Sequence, residues 1–309
     1  MAMEFLHKPV LFDECMEMLE IKPDGIYVDG TLGGGGHSSG ILSLLEGGRL
    51  IGIDRDEAAL AAAGKKLELH KEKVTFVHSN YSEIKRILDE LEIKEIDGAL
   101  LDLGVSSYQL DNPERGFSYM HDAPLDMRMN QDDSKSAYDV VNTYSEKELC
   151  RILYDYGEEK WAKRIAKFIV DRRPINTTFE LNEVIKAAVP AGARKEGGHP
   201  SKRTFQAIRI EVNEEIERLK KSVEDFFECL KPGGILAIIT FHSLEDRIVK
   251  DVFNNLKTGC TCDKNLPVCV CGGKPRGTLI NRKPIIASDN ELTENKRSHS
   301  AKLRGIQKI

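Results

Sequence analysis

The sequence predicts an α/β fold: a mostly parallel sheet covered by helices and interrupted by a helical inserted domain. Three observations carry this. Short apolar strands alternate with helical segments from Ile26 to Asp102, four consecutive glycines join the first strand to a helix, and the alternation lapses after Asp102 and resumes only near Ile235. Alternation of this kind is the mark of parallel strands connected by crossover helices.

The elements follow in order. Ile26–Asp29 reads as a strand, Ser38–Glu46 as a helix stopped by Gly47-Gly48, and Arg49–Asp54 as a second strand. Asp56 caps an alanine-rich helix running to about His70, because Glu57-Ala58-Ala59-Leu60 combines high helix propensity with an apolar face. Val74–Val77 is a third strand, Ser82–Leu91 a helix and Ile96–Leu103 a fourth strand. From Gln109 to about Asn130 no period holds, and helical text follows, with capping boxes expected at Ser145/Glu148 and Thr177/Glu180. One long helix is expected from near Thr204, its stripe of Phe205, Ile208, Val212, Ile216, Leu219, Val223 and Phe226 spaced by three or four. It ends at Lys231-Pro232-Gly233-Gly234; Ile235–Thr240 rejoins the sheet, and Ser243/Asp246 caps the next helix. The expected organisation is a first sheet segment over 1–110, a helical insertion over 111–212 and a second sheet segment over 213–309 with a cysteine loop and a basic tail.

Composition sets the class. With 309 residues, 40% of them apolar and 31% charged, the chain is an ordinary globular sequence with enough length for a large core. No window approaches a membrane span and the amino terminus carries acids where a signal peptide needs an apolar run, so a cytoplasmic protein without a membrane partner is expected. The net charge of −5 gives no global pull toward nucleic acid, yet Lys160–Arg173 holds six Lys/Arg against one Asp, and Gly272–Ile309 nine against three acids. Both stretches are compatible with phosphate contact and also with solvated charge.

The chemistry begins at Asp29-Gly-Thr-Leu-Gly33-Gly34-Gly35-Gly36-His37. Ordering four glycines forfeits much chain entropy, so a tight turn with positive φ or close backbone approach to a ligand is expected. The loop lacks both the G-x-G-x-x-G dinucleotide pattern, which weakens a nicotinamide oxidoreductase reading, and the terminal Gly-Lys-Ser/Thr of a phosphate loop. Asp29 would repel a pyrophosphate, and a cationic or zwitterionic ligand fits better. Asp54 ends the second strand where a carboxylate accepts hydrogen bonds from ribose hydroxyls, and Tyr81 stands where an aromatic ring can lie along a base. Asp102, with Ser106 and Ser107 beyond it, offers acceptors suited to holding an amine or a cofactor amino group. Arg115, Phe117, Arg128, Lys202, Arg203, Arg209 and His242 are candidates for facing a substrate. Cys260, Cys262, Cys269 and Cys271 place four thiolates in twelve residues. Such a set suits tetrahedral Zn²⁺, although one-residue spacing within each pair strains the geometry and surface thiols are the alternative.

These texts, with Leu101-Asp-Leu-Gly-Val-Ser-Ser107, Arg115-Gly-Phe-Ser118, Pro124-Leu-Asp-Met-Arg-Met129, Tyr156-Gly-Glu-Glu159, Thr204-Phe-Gln-Ala-Ile-Arg209 and Phe241-His-Ser-Leu-Glu-Asp-Arg247, resemble the bacterial 16S ribosomal RNA cytidine N4-methyltransferase family. The ordered set spans nearly the whole chain. The resemblance implies a class I methyltransferase fold, S-adenosylmethionine as cofactor, and a target amine in the decoding region of 16S RNA, within the small subunit or a late assembly intermediate. It implies that Gly35, Gly36 and His37 contact the cofactor, Asp54 its ribose, Tyr81 its adenine, and Asp102 and Gln109 the rest of that site. Dimers occur among members, so a homodimer is one state the resemblance allows. A ribosome-assembly factor retaining the cofactor fold, or a methyltransferase for another amine, are the rival readings. The cysteine loop is not common to all members, so the shared chemistry does not need it.

Overall fold

A computed structural model describes residues 9–195, 199–259, 262 and 271–309. The chain divides into two compact units, Met1–Gly104 with Ile216–Ile309, and Val105–Glu215.

The first unit is a seven-stranded sheet of β1 (Ile26–Asp29), β2 (Arg49–Asp54), β3 (Val74–His78), β4 (Ile96–Asp102), β5 (Leu230–Thr240), β6 (Gly277–Leu279) and β7 (Lys302–Lys308). Its spatial order is β3-β2-β1-β4-β5-β7-β6. The first five strands pair in parallel, and β7 runs antiparallel to both β5 and β6. This is the class I methyltransferase arrangement. Successive connections leave β1 in one direction and β4 in the other, so the strand order reverses between them, and ligands in open sheets collect at such a switch point. The strands read as continuous apolar runs because both faces are covered. Val28, Ile51, Leu101 and Ile238 join a core with Phe226 and Phe253, while Tyr27, Leu50, Leu100 and Ile239 join another with Leu11 and Ile41.

Local chemistry sets the boundaries. Asp56 caps Glu57–Lys66 by accepting from the Ala58 amide, and Gly35, at φ +74, precedes helix Gly36–Leu44. At Gly233, φ +79, β5 slips register against β4 between Ile96 and Gly98, so the Lys231-Pro232-Gly233-Gly234 segment expected to end the preceding helix lies inside one long strand.

Several expectations change. The basic tail is built into the sheet. Leu303 and Ile306 of β7 are fully buried, Arg304 forks onto Asp246 at 2.7 and 3.3 Å, and Lys308 Nζ donates to the Glu228 and Leu230 carbonyls. The cap expected from Ser243 and Asp246 is instead a capping box one residue earlier: His242 accepts from the Glu245 amide, and the Glu245 carboxylate accepts from the His242 amide. The single long helix is two, Ser201–Asn213 and Glu215–Cys229, divided by Glu214 at φ +53. Beside the break, the Asn213 amide group donates to the Met127 and Arg209 carbonyls and accepts from the Met129 amide, and Arg209 pairs with Glu215. An apolar stripe does not register such a turn.

The second unit carries helices Ala137–Thr143, Glu146–Asp155, Ala162–Asp171, Thr178–Ala188 and Ser201–Asn213 around a core that includes Leu149, Ile152, Ile165, Ile169, Ile185 and Ile208. Ser145 and Glu148 form the expected box, whereas Thr177 caps alone and Glu180 turns back to the Asn176 amide. Among the described residues no helix is long and apolar enough to cross a membrane.

Candidate active site

Three aspartates lie at the carboxyl ends of adjacent parallel strands: Asp29 on β1, Asp54 on β2 and Asp102 on β4. Their roles diverge with their partners. Asp29 is 2% exposed; one oxygen accepts from the Thr31 amide at 3.2 Å and the other from Ser38 Oγ at 2.6 Å. It therefore ties together the two sides of the glycine loop. Thr31 extends the tie, its Oγ1 accepting from the Asp102 amide at 2.6 Å. Asp54 accepts from the Gly33 and Asp56 amides at 2.8 and 2.9 Å, so it holds the loop's first glycine while keeping lone pairs for a ligand hydroxyl.

The glycines are not equivalent. Gly33 and Gly35 take positive φ of +50 and +74, the conformation four glycines were expected to serve. A Cβ at Gly36 would meet Pro9 at 2.5 Å, so the segment before helix Phe12–Leu19 lies against the loop. Among the described residues a Cβ at Gly34 would meet nothing within 4 Å, which leaves that stretch of backbone open to close approach. Tyr81, at the start of a short 3₁₀ turn, reaches back over the end of β1, its Cβ 3.3 Å from where a Cβ of Gly30 would stand.

Asp102 differs from the other two acids. Its Oδ1 is buried with no hydrogen-bond partner among the described residues, and its Oδ2 lies 3.8 Å from His37 Nδ1. Burial, then the negative charges of Asp29 and Glu245, push its carboxyl up to about 8. Burial also raises Asp29 to about 6 against the pull of Ser38 and Thr31, with the Asp54 charge adding to the rise. Asp54 is raised too, by burial, with its amide partners opposing. His37 goes the other way, lowered to about 4 by burial despite its bond to the Val10 carbonyl at 2.9 Å. It is neutral near pH 7; with Nε2–H donating to Val10, the assigned tautomer leaves the Nδ1 lone pair toward Asp102.

Glu245 and the hydroxyls of Thr31 and Ser38 were not singled out by sequence. Two of these carried a readable signal: a hydroxyl residue two positions after a strand-end Asp, and another in the first turn after the glycines. Glu245 sits inside the Phe241–Arg247 text, where its carboxylate accepts from the Phe241 amide at 2.8 Å. His242 is held by that same turn, its Nδ1 accepting from the Glu245 amide at 3.4 Å and its Nε2 3.0 Å from Glu245 Oε1.

The remaining candidates belong to the second unit. Ser106 caps Ser107–Asp111 and Gln109 completes the capping box, with Gln109 4% exposed. Arg115 is 3% exposed and donates to the Arg128 and Met129 carbonyls, beside a buried Phe117 ring. Arg128 forks onto Asp126 and also donates to the Gln131 and Asp133 carbonyls. Arg209 is paired with Glu215. These arginines order the loop that sequence marked as ligand-facing. Lys202 and Arg203 are exposed, and Arg203 donates to the Glu158 carbonyl. Of the four clustered cysteines, Cys260 and Cys269 lie outside the described residues, and among the described residues no group of His, Cys, Asp or Glu could hold a metal ion.

Clustered carboxylates at the switch point disfavour a pyrophosphate and favour a ligand carrying positive charge, while the open backbone at Gly34 and the partnerless Asp102 oxygen fit an amino-acid-bearing sulfonium cofactor. On this strand order, that chemistry defines a class I S-adenosylmethionine-dependent methyltransferase. The sequence matches the MraW methylase family over residues 4–309, and the chain belongs to that family. Its relatives include the ribosomal RNA small subunit methyltransferase H of Lachnospira eligens, 58% identical over 311 residues and 99% of each chain. The proteins of the same name from Ruminiclostridium cellulolyticum and Heliobacterium mobile are 56% and 55% identical, each over 99% of this chain and 100% of the relative.

Proposed function

We propose that this enzyme transfers a methyl group from S-adenosylmethionine to the exocyclic N4 amine of a cytidine in the decoding region of 16S RNA, within the small ribosomal subunit or a late assembly intermediate. The observation that carries the reading is full-length similarity, up to 58% identity, to small-subunit RNA methyltransferases, joined to an acid at the end of β4 with an unused buried oxygen. When bound, S-adenosylmethionine supplies a methyl carbon on a sulfonium, open to direct displacement by an amine. The chain's own groups handle the rest. The Gly33–Gly36 backbone and Asp54 hold the cofactor, and Tyr81 borders its adenine. Asp102 accepts an N–H of the target amine, which lets its nitrogen lone pair leave conjugation with the ring and point at the methyl carbon. Neutral His37, held by the Val10 carbonyl, lies beside that carboxyl and moves no proton. A cysteine nucleophile is unnecessary, because N4 itself would form the new bond to carbon as the carbon–sulfonium bond breaks, and the N–H proton held by Asp102 would leave to that carboxylate or to water. The target base must leave its stack to reach the site, which a distorted or single-stranded region makes easier.

The test is incubation with methyl-labelled S-adenosylmethionine and unmodified small subunits, naked ribosomal RNA or total protein, followed by mapping of the labelled atom. Label at a cytidine N4 of small-subunit RNA, lost in Asp102→Ala, is expected. Label on protein, on a ring carbon, or undiminished in Asp102→Ala would overturn it.

A further inference from the structure

We infer that the exposed face of helix Ala162–Asp171, with Lys160 before it and Arg172 after it, is an RNA phosphate-backbone contact surface; this rests on the RNA reading above. The helix is pinned from behind by Ala162, Ile165, Ala166 and Ile169, all buried, so its outer face is free to carry charge without a folding role. That face presents Lys160, Lys163, Arg164, Lys167 and Arg172, all exposed. Among the described residues only Lys167 is paired with an acid there, to Asp171 at 2.9 Å. The contrast with other arginines of this unit is informative. Arg115, Arg128, Arg173 and Arg209 all direct guanidinium N–H groups at carbonyls or carboxylates within the protein. Arg164 and Arg172 instead lie over the ring of Phe168, at 5.3 and 4.4 Å from its centroid. Positions 164, 168 and 172 follow helical i, i+4 spacing, so one half-buried ring organises two guanidinium groups. An aromatic contact restrains a guanidinium while leaving its N–H edge available, the fork that matches a phosphate. A concentration of positive charge on a chain of net −5 points to a polyanion. A cluster along one helix and its two flanks suits a backbone contact and carries no base specificity.

The experiment compares the full-length protein with the triple variant Lys163→Gln/Arg164→Gln/Arg172→Gln, and with a control of equal charge change, Lys147→Gln/Lys220→Gln/Lys250→Gln, at dispersed exposed positions. Affinity for deproteinised 16S RNA and for unmodified small subunits is measured against salt, with S-adenosylmethionine binding as the check on folding. Losing three single-strand phosphate contacts should flatten the log–log salt slope by about 2 and weaken binding roughly 10- to 100-fold at 0.15 M salt, with cofactor affinity unchanged. A slope equal to that of the wild type or of the control overturns the surface. So does a loss seen with intact subunits but absent with naked RNA, which would make the partner a ribosomal protein. Failure of the wild type to methylate subunits at all would instead defeat the reading on which this rests.

Discussion

Asp102→Asn should make the protein more stable while removing its activity. The wild-type carboxyl, held near 8 rather than at the ordinary 3.8, is an acid whose ionised form the fold disfavours. Between those two values the folded state binds more protons than the unfolded chain, so wild-type stability falls as pH rises through that window and levels off above 8. Above both values the ceiling of the effect is about 6 kcal/mol. The side chain is 28% exposed, and solvent weakens its repulsion by Asp29 and Glu245; about 2–3 kcal/mol is the expected gain above pH 8. Asparagine has no titration, so its advantage should be small at pH 4, grow through pH 6 and plateau by pH 8.5. Burial raises Asp29 as well, a contribution present in both proteins. Urea unfolding of cofactor-free protein at these pH values gives the difference directly. Methyl transfer by the variant should fall on the order of 10²-fold or more. An advantage that does not vary with pH, or a wild type more stable at pH 8.5, would refute the electrostatic account of this site.

Two further perturbations separate structure from ligand contact. Gly34→Ala should leave the urea midpoint nearly unchanged, within about 0.5 kcal/mol, because its Cβ meets open space, yet weaken S-adenosylmethionine binding at least about tenfold, read by isothermal titration. Gly35→Ala should instead lose about 1–2 kcal/mol of stability, since an alanine there is forced to φ +74 with Leu67 and Ala63 3.2–3.3 Å away; equal stability of the two variants would contradict the loop assignment. Arg304→Ala, which leaves Asp246 with Lys302 as its remaining cation at 3.3 Å, should cost about 1–2 kcal/mol in chemical unfolding. A change below about 0.5 kcal/mol would return that residue to the role of a surface charge.

The elements that sequence made legible are those whose cause is local. β1 and β2 run over Ile26–Asp29 and Arg49–Asp54 as read, because apolar runs ended by Asp and flanked by glycines leave little freedom. The Asp56 cap was equally local. What was not legible depends on distant partners. Lys302–Lys308 reads as a solvated basic tail until Asp246, 58 positions away from Arg304, neutralises its central charge. The break at Glu214 sits beside bonds from Asn213 to Met127 and Met129, some 85 positions back, which a periodic stripe of apolar residues does not encode.

By itself the sequence determined the α/β architecture, the loop where backbone must approach a ligand, and the three strand-end acids, since periodicity, glycine and capping chemistry act over a few residues. Tertiary structure decided how those acids are used. Asp29 has both oxygens engaged in the loop, Asp54 is shared between the loop and a ligand, and Asp102 has a buried oxygen without a partner. It likewise separated arginines that bind the protein's own carbonyls and carboxylates from those that stand outward over Phe168. The physical reason is common to both: a polar group's chemistry is set by which hydrogen bonds and charges remain unmet after packing, and that remainder exists only in the folded chain.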